Sequence, residues 1–160
     1  MPALAKEGGT VPQSSQLQDI DDITQLTYDQ LRHALQLIPG DKMAFKATPL
    51  ATTPTQIVIH ACNADLHYLN VIDGGSRSGP IRPEDEPAKA ALLRLIADTQ
   101  QVVAGVLAGL DDEELSAHRD VRWRTEPKTV RWILLHMLRH KHYHAGQLNY
   151  IHFLLGIDER

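Results

Sequence analysis

The stretch TVRWILLHMLRHKHYHAGQLNYIHFLLG, from Thr129 to Gly156, decides the fold class. It contains no proline and one interior glycine, Gly146, and apolar residues return every three or four positions. At about 100° per residue, Val130, Ile133, Met137, Leu148, Ile151 and Leu155 gather in a sector roughly 60° wide. The spacing predicts one amphipathic helix over about 129–155, opened by Thr129 and closed at Gly156. Five of the chain's nine histidines lie between His136 and His152. On the same helical wheel His140 and His144 fall among the apolar residues, His142 points to solvent and His136 sits at the margin.

Three further helices precede it. Ile20, Tyr28, Leu31, Leu35 and Ile38 recur at helical spacing from about Leu17, and Pro39-Gly40 ends that run. Thr53-Pro54-Thr55-Gln56 reads as a capping box with proline at the first helical position. The helix it opens reaches about Ile72 and stops at Asp73-Gly74-Gly75. A crossover loop rich in Gly, Ser and Pro leads to Pro87, where a helix carrying Leu92, Ile96, Val103, Val106 and Leu110 begins. The connector from Asp111 to Pro127 is acidic at its start and has no clear period. The expected architecture is an all-α four-helix bundle with almost no strand: a mobile tail over residues 1–15, then a single domain over 16–160.

Composition excludes several classes. With 160 residues and a hydrophobic fraction of 42%, the chain suits one folded domain. The net charge of −4 offers no general attraction for nucleic acid or anionic lipid, and no apolar run approaches membrane-span length. The start of the chain lacks the apolar core of a secretory signal. The one cysteine, Cys62, cannot form an internal disulfide, which favours a reducing, cytoplasmic setting. Glu-x-x-His pairs, H-E-x-x-H, G-x-S-x-G and phosphate-cradling glycine loops are all absent. Cys62 lies mid-helix on a side read as polar, beside no obvious base, which argues against a catalytic thiol.

The i, i+4 pair His140/His144 places two imidazoles on one buried face, about 6 Å apart along the axis. Buried without partners, both would carry a desolvation penalty; a metal ion relieves it and asks for a third ligand. His60 is the better candidate on the second helix, since Ala61 and Ala64 leave room beside it. His67 shares its direction but lies about 10 Å further along. The competing reading gives His60 a hydrogen bond to a carbonyl or a tyrosine instead. On the second helix Ile57, Ala61, Ala64, Tyr68 and Val71 form the expected buried face. His136, Gln147 and Asp65 are candidates to hold the second ring nitrogen of a ligand. Gly146 either lets a neighbouring helix approach or serves packing alone. Trp123 and Trp132 line a pocket or pack, and Tyr143 and Arg139 face solvent or a dimer contact.

His60, followed by the run from Thr129 to Leu148 with its H-x-x-x-H-x-G-Q core, resembles the DinB-like (YfiT-like) metal-binding superfamily over about 20–156. The segment from Val130 to Gly146 is also similar to the branch containing mycothiol-dependent S-transferases and maleylpyruvate isomerase. The resemblance implies an up-down-down-up bundle with a long crossover, commonly a homodimer. It further implies a divalent ion, zinc or nickel, held by His60, His140 and His144, and a low-molecular-weight thiol as cosubstrate. Two functions follow as expectations. One is a metal-dependent enzyme of thiol transfer or hydrolysis acting on a small-molecule substrate, without nucleic acid or membrane. The other is a non-catalytic dimeric bundle whose metal site is structural or vacant.

Overall fold

A computed structural model describes residues 14–157, so the expected tail lies almost wholly outside the described residues. The elements are α1 (Ser15–Leu37), α2 (Pro54–Asp73), α3 (Lys89–Ala108), a short α4 (Asp112–Ser116), β1 (His118–Arg119), β2 (Lys128–Thr129) and α5 (Val130–Leu154). Each long helix except α3 starts on a side-chain cap. Ser14 accepts from the Leu17 amide, and Thr129 accepts from the Trp132 amide at 3.1 Å. At Thr53 the full reciprocal box forms, with Gln56 N donating to Thr53 Oγ1 and Thr53 N to Gln56 Oε1. α2 ends where Gly74 takes φ 73°, a left-handed cap that a Cβ would oppose.

Long-range hydrogen bonds fix the helix directions. Thr55 N bonds Met43 O, and Lys89 Nζ bonds the carbonyls of Gln36 and Ile38. The starts of α2 and α3 therefore both lie at the end of α1. At the opposite end of the bundle Arg119 Nε donates to Ile72 O at 2.8 Å, so α5 starts beside the end of α2. The result is up-down-down-up, with the 74–88 segment as the crossover between parallel α2 and α3. α1 packs on α3 and α5, and α2 packs on the same two, which leaves α1 and α2 on one diagonal. The core is apolar and drawn from all four long helices, with Tyr28, Leu35, Ile59, Leu69, Leu92, Ile96, Val103, Ile133, Met137 and Leu148 buried.

Four expectations need correction. The 111–127 connector is partly ordered: α4 is capped by Asp111, which accepts from the Glu114 amide at 2.8 Å, and β1 pairs antiparallel with β2. Cys62 is not on a polar side but buried, because α2 is gripped by α3 as well as α5. For the same reason its buried face extends to Val58, Ile59, Leu66 and Leu69, whereas Ala64 and Val71 are only half-buried. Finally, α3 is long and apolar enough by length and composition to cross a membrane; it carries exposed Arg94 and Asp98 mid-helix and packs its apolar side on α1 and α2.

Candidate metal centre

α2 and α5 run antiparallel, which brings residue 60 opposite residues 140 and 144 and residue 68 opposite 136. His140 Nε2 lies 3.2 Å from His60 Nε2 and 3.2 Å from His144 Nε2. All three ligand atoms fall within 4.8 Å of one another. His144 is buried, His140 half-buried and His60 exposed. His67 stays on the surface against Trp123, with ring centroids 5.5 Å apart, and takes no part.

This donor set fits a divalent ion. Nitrogen ligands at about 2.0–2.1 Å from a tetrahedral ion stand about 3.3–3.4 Å from one another, close to the 3.2 Å of the two contacts made by His140. His140 Nε2 belongs to both short contacts, and a ring nitrogen offers one proton or one lone pair, so two well-formed hydrogen bonds cannot share it. Three lone pairs around one cation resolve the conflict. Burial, reinforced by His144 and His60, pushes His140 down to about 4, so it is neutral at pH 7 and its lone pair is free. Burial likewise lowers His144.

The support around the ligands is uneven. Gln147, one of the candidates, does bond one of the three imidazoles: His144 Nδ1 lies 2.7 Å from Gln147 Oε1, and the Gln147 amide donates to Tyr143 Oη at 3.3 Å. The carbonyl is thus the acceptor, Nδ1 carries the proton, and Nε2 is left as the donor atom toward the centre. Tyr143 is exposed, yet joined to the site through this bond. Neither of the other candidates plays that part. His136 stacks on Trp132, centroids 5.0 Å apart, in an aromatic group with Tyr68 and Trp123 that flanks His140. Burial holds His136 below its ordinary value. Asp65 bonds Lys141 and Tyr28 instead, and His140 Nδ1 is buried without a hydrogen-bond partner.

Lys141 is the residue that sequence reasoning missed. It lies next to His140, is fully buried, and its Nζ stands 2.5 Å from Asp65 Oδ2 and 3.6 Å from the Tyr28 ring centroid. Its wheel position, about 140° from His136, borders the apolar sector and was the one available signal. Gly146 also differs from expectation: it is exposed, and among the described residues no atom outside its own stretch of helix lies within 4 Å of where its Cβ would stand, so no described helix packs there. A cleft of about 570 Å³ opens beside His60 and His144, bordered by Lys46, Gln56 and Gln147. The Cys62 thiol, pushed up to about 12 by burial, stays protonated and away from it.

The sequence profile of the DinB superfamily matches residues 23–148. Among solved structures, the chain is similar to a DinB-like protein from Bacillus subtilis, with a TM-score of 0.71 at 20% identity over 88% of this chain and 94% of that one. A DinB-like protein from Bacillus cereus ATCC 10987 aligns with a TM-score of 0.77 at 14% identity, covering 89% and 95%. A conserved protein from Enterococcus faecalis gives 0.65 at 18% identity, covering 86% and 95%. These likenesses speak for the fold. No curated protein gives a significant match.

Proposed function

The chain belongs to the DinB superfamily, and from that footing we propose that it is a divalent-metal-dependent enzyme of thiol transfer or hydrolysis. The observation that carries this reading is the convergence of three imidazoles, two of which, His60 and His144, line an open cleft rather than a sealed interior. Structural zinc sites are closed by four protein ligands, whereas three ligands beside open space leave a position for a reactant.

His60, His140 and His144 would hold the ion, with zinc or nickel as the proposed metals. Bound there, a divalent ion supplies Lewis acidity toward a thiol, a water or a carbonyl oxygen. The protein's own groups do the remainder. Gln147 keeps the proton of His144 on Nδ1 and so fixes which nitrogen faces the centre. Lys46, at the cleft rim, places a positive charge where an anionic part of a thiol or acid would lie. The aromatic group around His136 walls off the far side of His140 from water. Within this reading we favour S-transfer with a low-molecular-weight thiol, on the sequence likeness of the 130–146 segment to that branch.

The test is a screen of the zinc- and nickel-loaded protein with several small thiols and electrophilic acceptors. Thiol-dependent turnover that disappears in His60→Ala supports the reading. Absence of turnover with every thiol and every ester tried, from protein that holds one ion per chain, would favour the non-catalytic bundle.

A further inference from the structure

The cleft beside the imidazoles does not end there. It runs into a second cleft of about 660 Å³, and Leu50, Ala51, Thr52, Ile57 and Gln147 border both. The two differ in character. The first carries Lys46, Gln56 and the two ring edges of His60 and His144. The second is walled by Leu50, Ile57, Tyr143, Tyr150 and Leu154, with Gly146 among them.

Gly146 lies well inside α5, where glycine is less favourable than alanine. Two structural reasons for an interior glycine fail here. Its φ is not positive, and among the described residues nothing outside its own stretch of helix stands within 4 Å of a Cβ built on it. A side chain at this position would enter the space of the second cleft and nothing else. The helix keeps that space open at its own expense.

We propose that the joined clefts receive an amphiphilic ligand. Its small anionic or metal-binding head sits at His60, His140, His144 and Lys46, and its unbranched apolar tail runs over Gly146 between Tyr143, Tyr150 and Leu154. Gly146 is the specificity-determining residue, since it sets the room for the tail. Only the head-group half rests on the metal reading. The tail half stands on the shape and lining of the second cleft.

Zinc-loaded wild type and Gly146→Leu are titrated calorimetrically with acetohydroxamate and octanohydroxamate. Each methylene fully removed from water is worth up to about fourfold in affinity. Wild type is expected to bind the eight-carbon probe at least about tenfold more tightly than the two-carbon one. Gly146→Leu, which gains a better helix former in open space, should bind both alike and keep the wild-type affinity for acetohydroxamate. Equal affinities in wild type, or a chain-length gain that survives in Gly146→Leu, overturn the proposal. Failure of the metal reading is told apart by the metal-free protein, in which 1-octanol should displace an anilinonaphthalene sulfonate probe from wild type but not from Gly146→Leu. Lack of displacement from wild type sinks the tail site whatever the metal does. Tail-insensitive binding together with a dimer mass by light scattering would mean that a second copy covers the cleft, and this also overturns the proposal.

Discussion

Lys141 and Asp65 form an ion pair with no solvent contact: Nζ stands 2.5 Å from Oδ2 and both side chains are 0% exposed. Tyr28 Oη donates to the same Oδ2 at 2.6 Å, so the group ties α1, α2 and α5 together one residue from His140. Burial pushes the Asp65 carboxyl up, against the opposing pull of Lys141 and the Tyr28 hydroxyl. Removing one partner of such a pair leaves a buried charge uncompensated, which costs about 3–5 kcal/mol. Lys141→Met should therefore lose about that much stability in urea denaturation, while Asp65→Leu/Lys141→Met regains most of it. A double variant no better than the single one would contradict this account of the pair.

Gln147 acts on the centre through His144 alone. Its carbonyl fixes the ring's protonated nitrogen and its orientation, and losing an outer partner of this kind lowers metal affinity by about 10–100-fold. Gln147→Leu should show that loss in a competition titration with a zinc chelator. Gln147→Glu, which keeps an acceptor oxygen, should retain most of the affinity. Thermal unfolding of the metal-free variants should stay near wild type, because Gln147 lies at the edge of the cleft and not in the core.

The lowered imidazoles of His140 and His144 should make the metal-free protein acid-sensitive. His140 sits at about 4 in the folded chain, through burial and the neighbouring His144 and His60, against an ordinary value near 6.5. Between those values the unfolded chain takes up a proton that the folded one refuses, so stability falls with pH. The contribution is complete above about pH 6.5 and is lost progressively toward pH 4. Asp65 shifts upward and acts with the opposite sign, which makes the difference between variants the useful quantity. His140→Gln, unfolded in urea with chelator present at pH 7.5, 6 and 5, should show a shallower fall than wild type. An equally steep fall in both would place the acid sensitivity elsewhere.

The Thr53 cap is an independent check on the start of α2, which positions His60 seven residues on. Thr53→Ala removes the hydroxyl that accepts from the Gln56 amide, while the backbone N–H of residue 53 can still donate to Gln56 Oε1. A loss of about 1 kcal/mol in urea denaturation is expected. No measurable change would mean that solvent caps this end equally well.

Much of the bundle can be read from local chemistry: the caps at Thr53 and Thr129, the stop at Gly74, and the 3–4 spacing on α1, α3 and α5 all depend on neighbours in sequence. What could not be read depends on neighbours in space. Cys62 seemed polar-sided because one buried face was assumed, yet α2 meets both α3 and α5. Lys141 flanks the apolar sector of α5, and α1 covers that flank with Tyr28, which no helical period on α5 announces. The 111–127 connector gains order from tertiary partners, such as Arg119 reaching Ile72 O, rather than from any repeat of its own. At the site, the i, i+4 pair and the room beside His60 pointed to the three rings that the fold brings together. The support was harder to foresee, since Asp65 and His136 are near the ligands in sequence and pattern but bond elsewhere.

The most direct measurement is the metal content of purified protein after equilibration with zinc and removal of excess, compared between wild type and His140→Ala. One tightly held ion per wild-type chain and none in His140→Ala, with helix content unchanged by circular dichroism, is the predicted result. A wild-type chain that retains no ion, or a His140→Ala chain that retains it as well as wild type, would contradict a cation held jointly by α2 and α5.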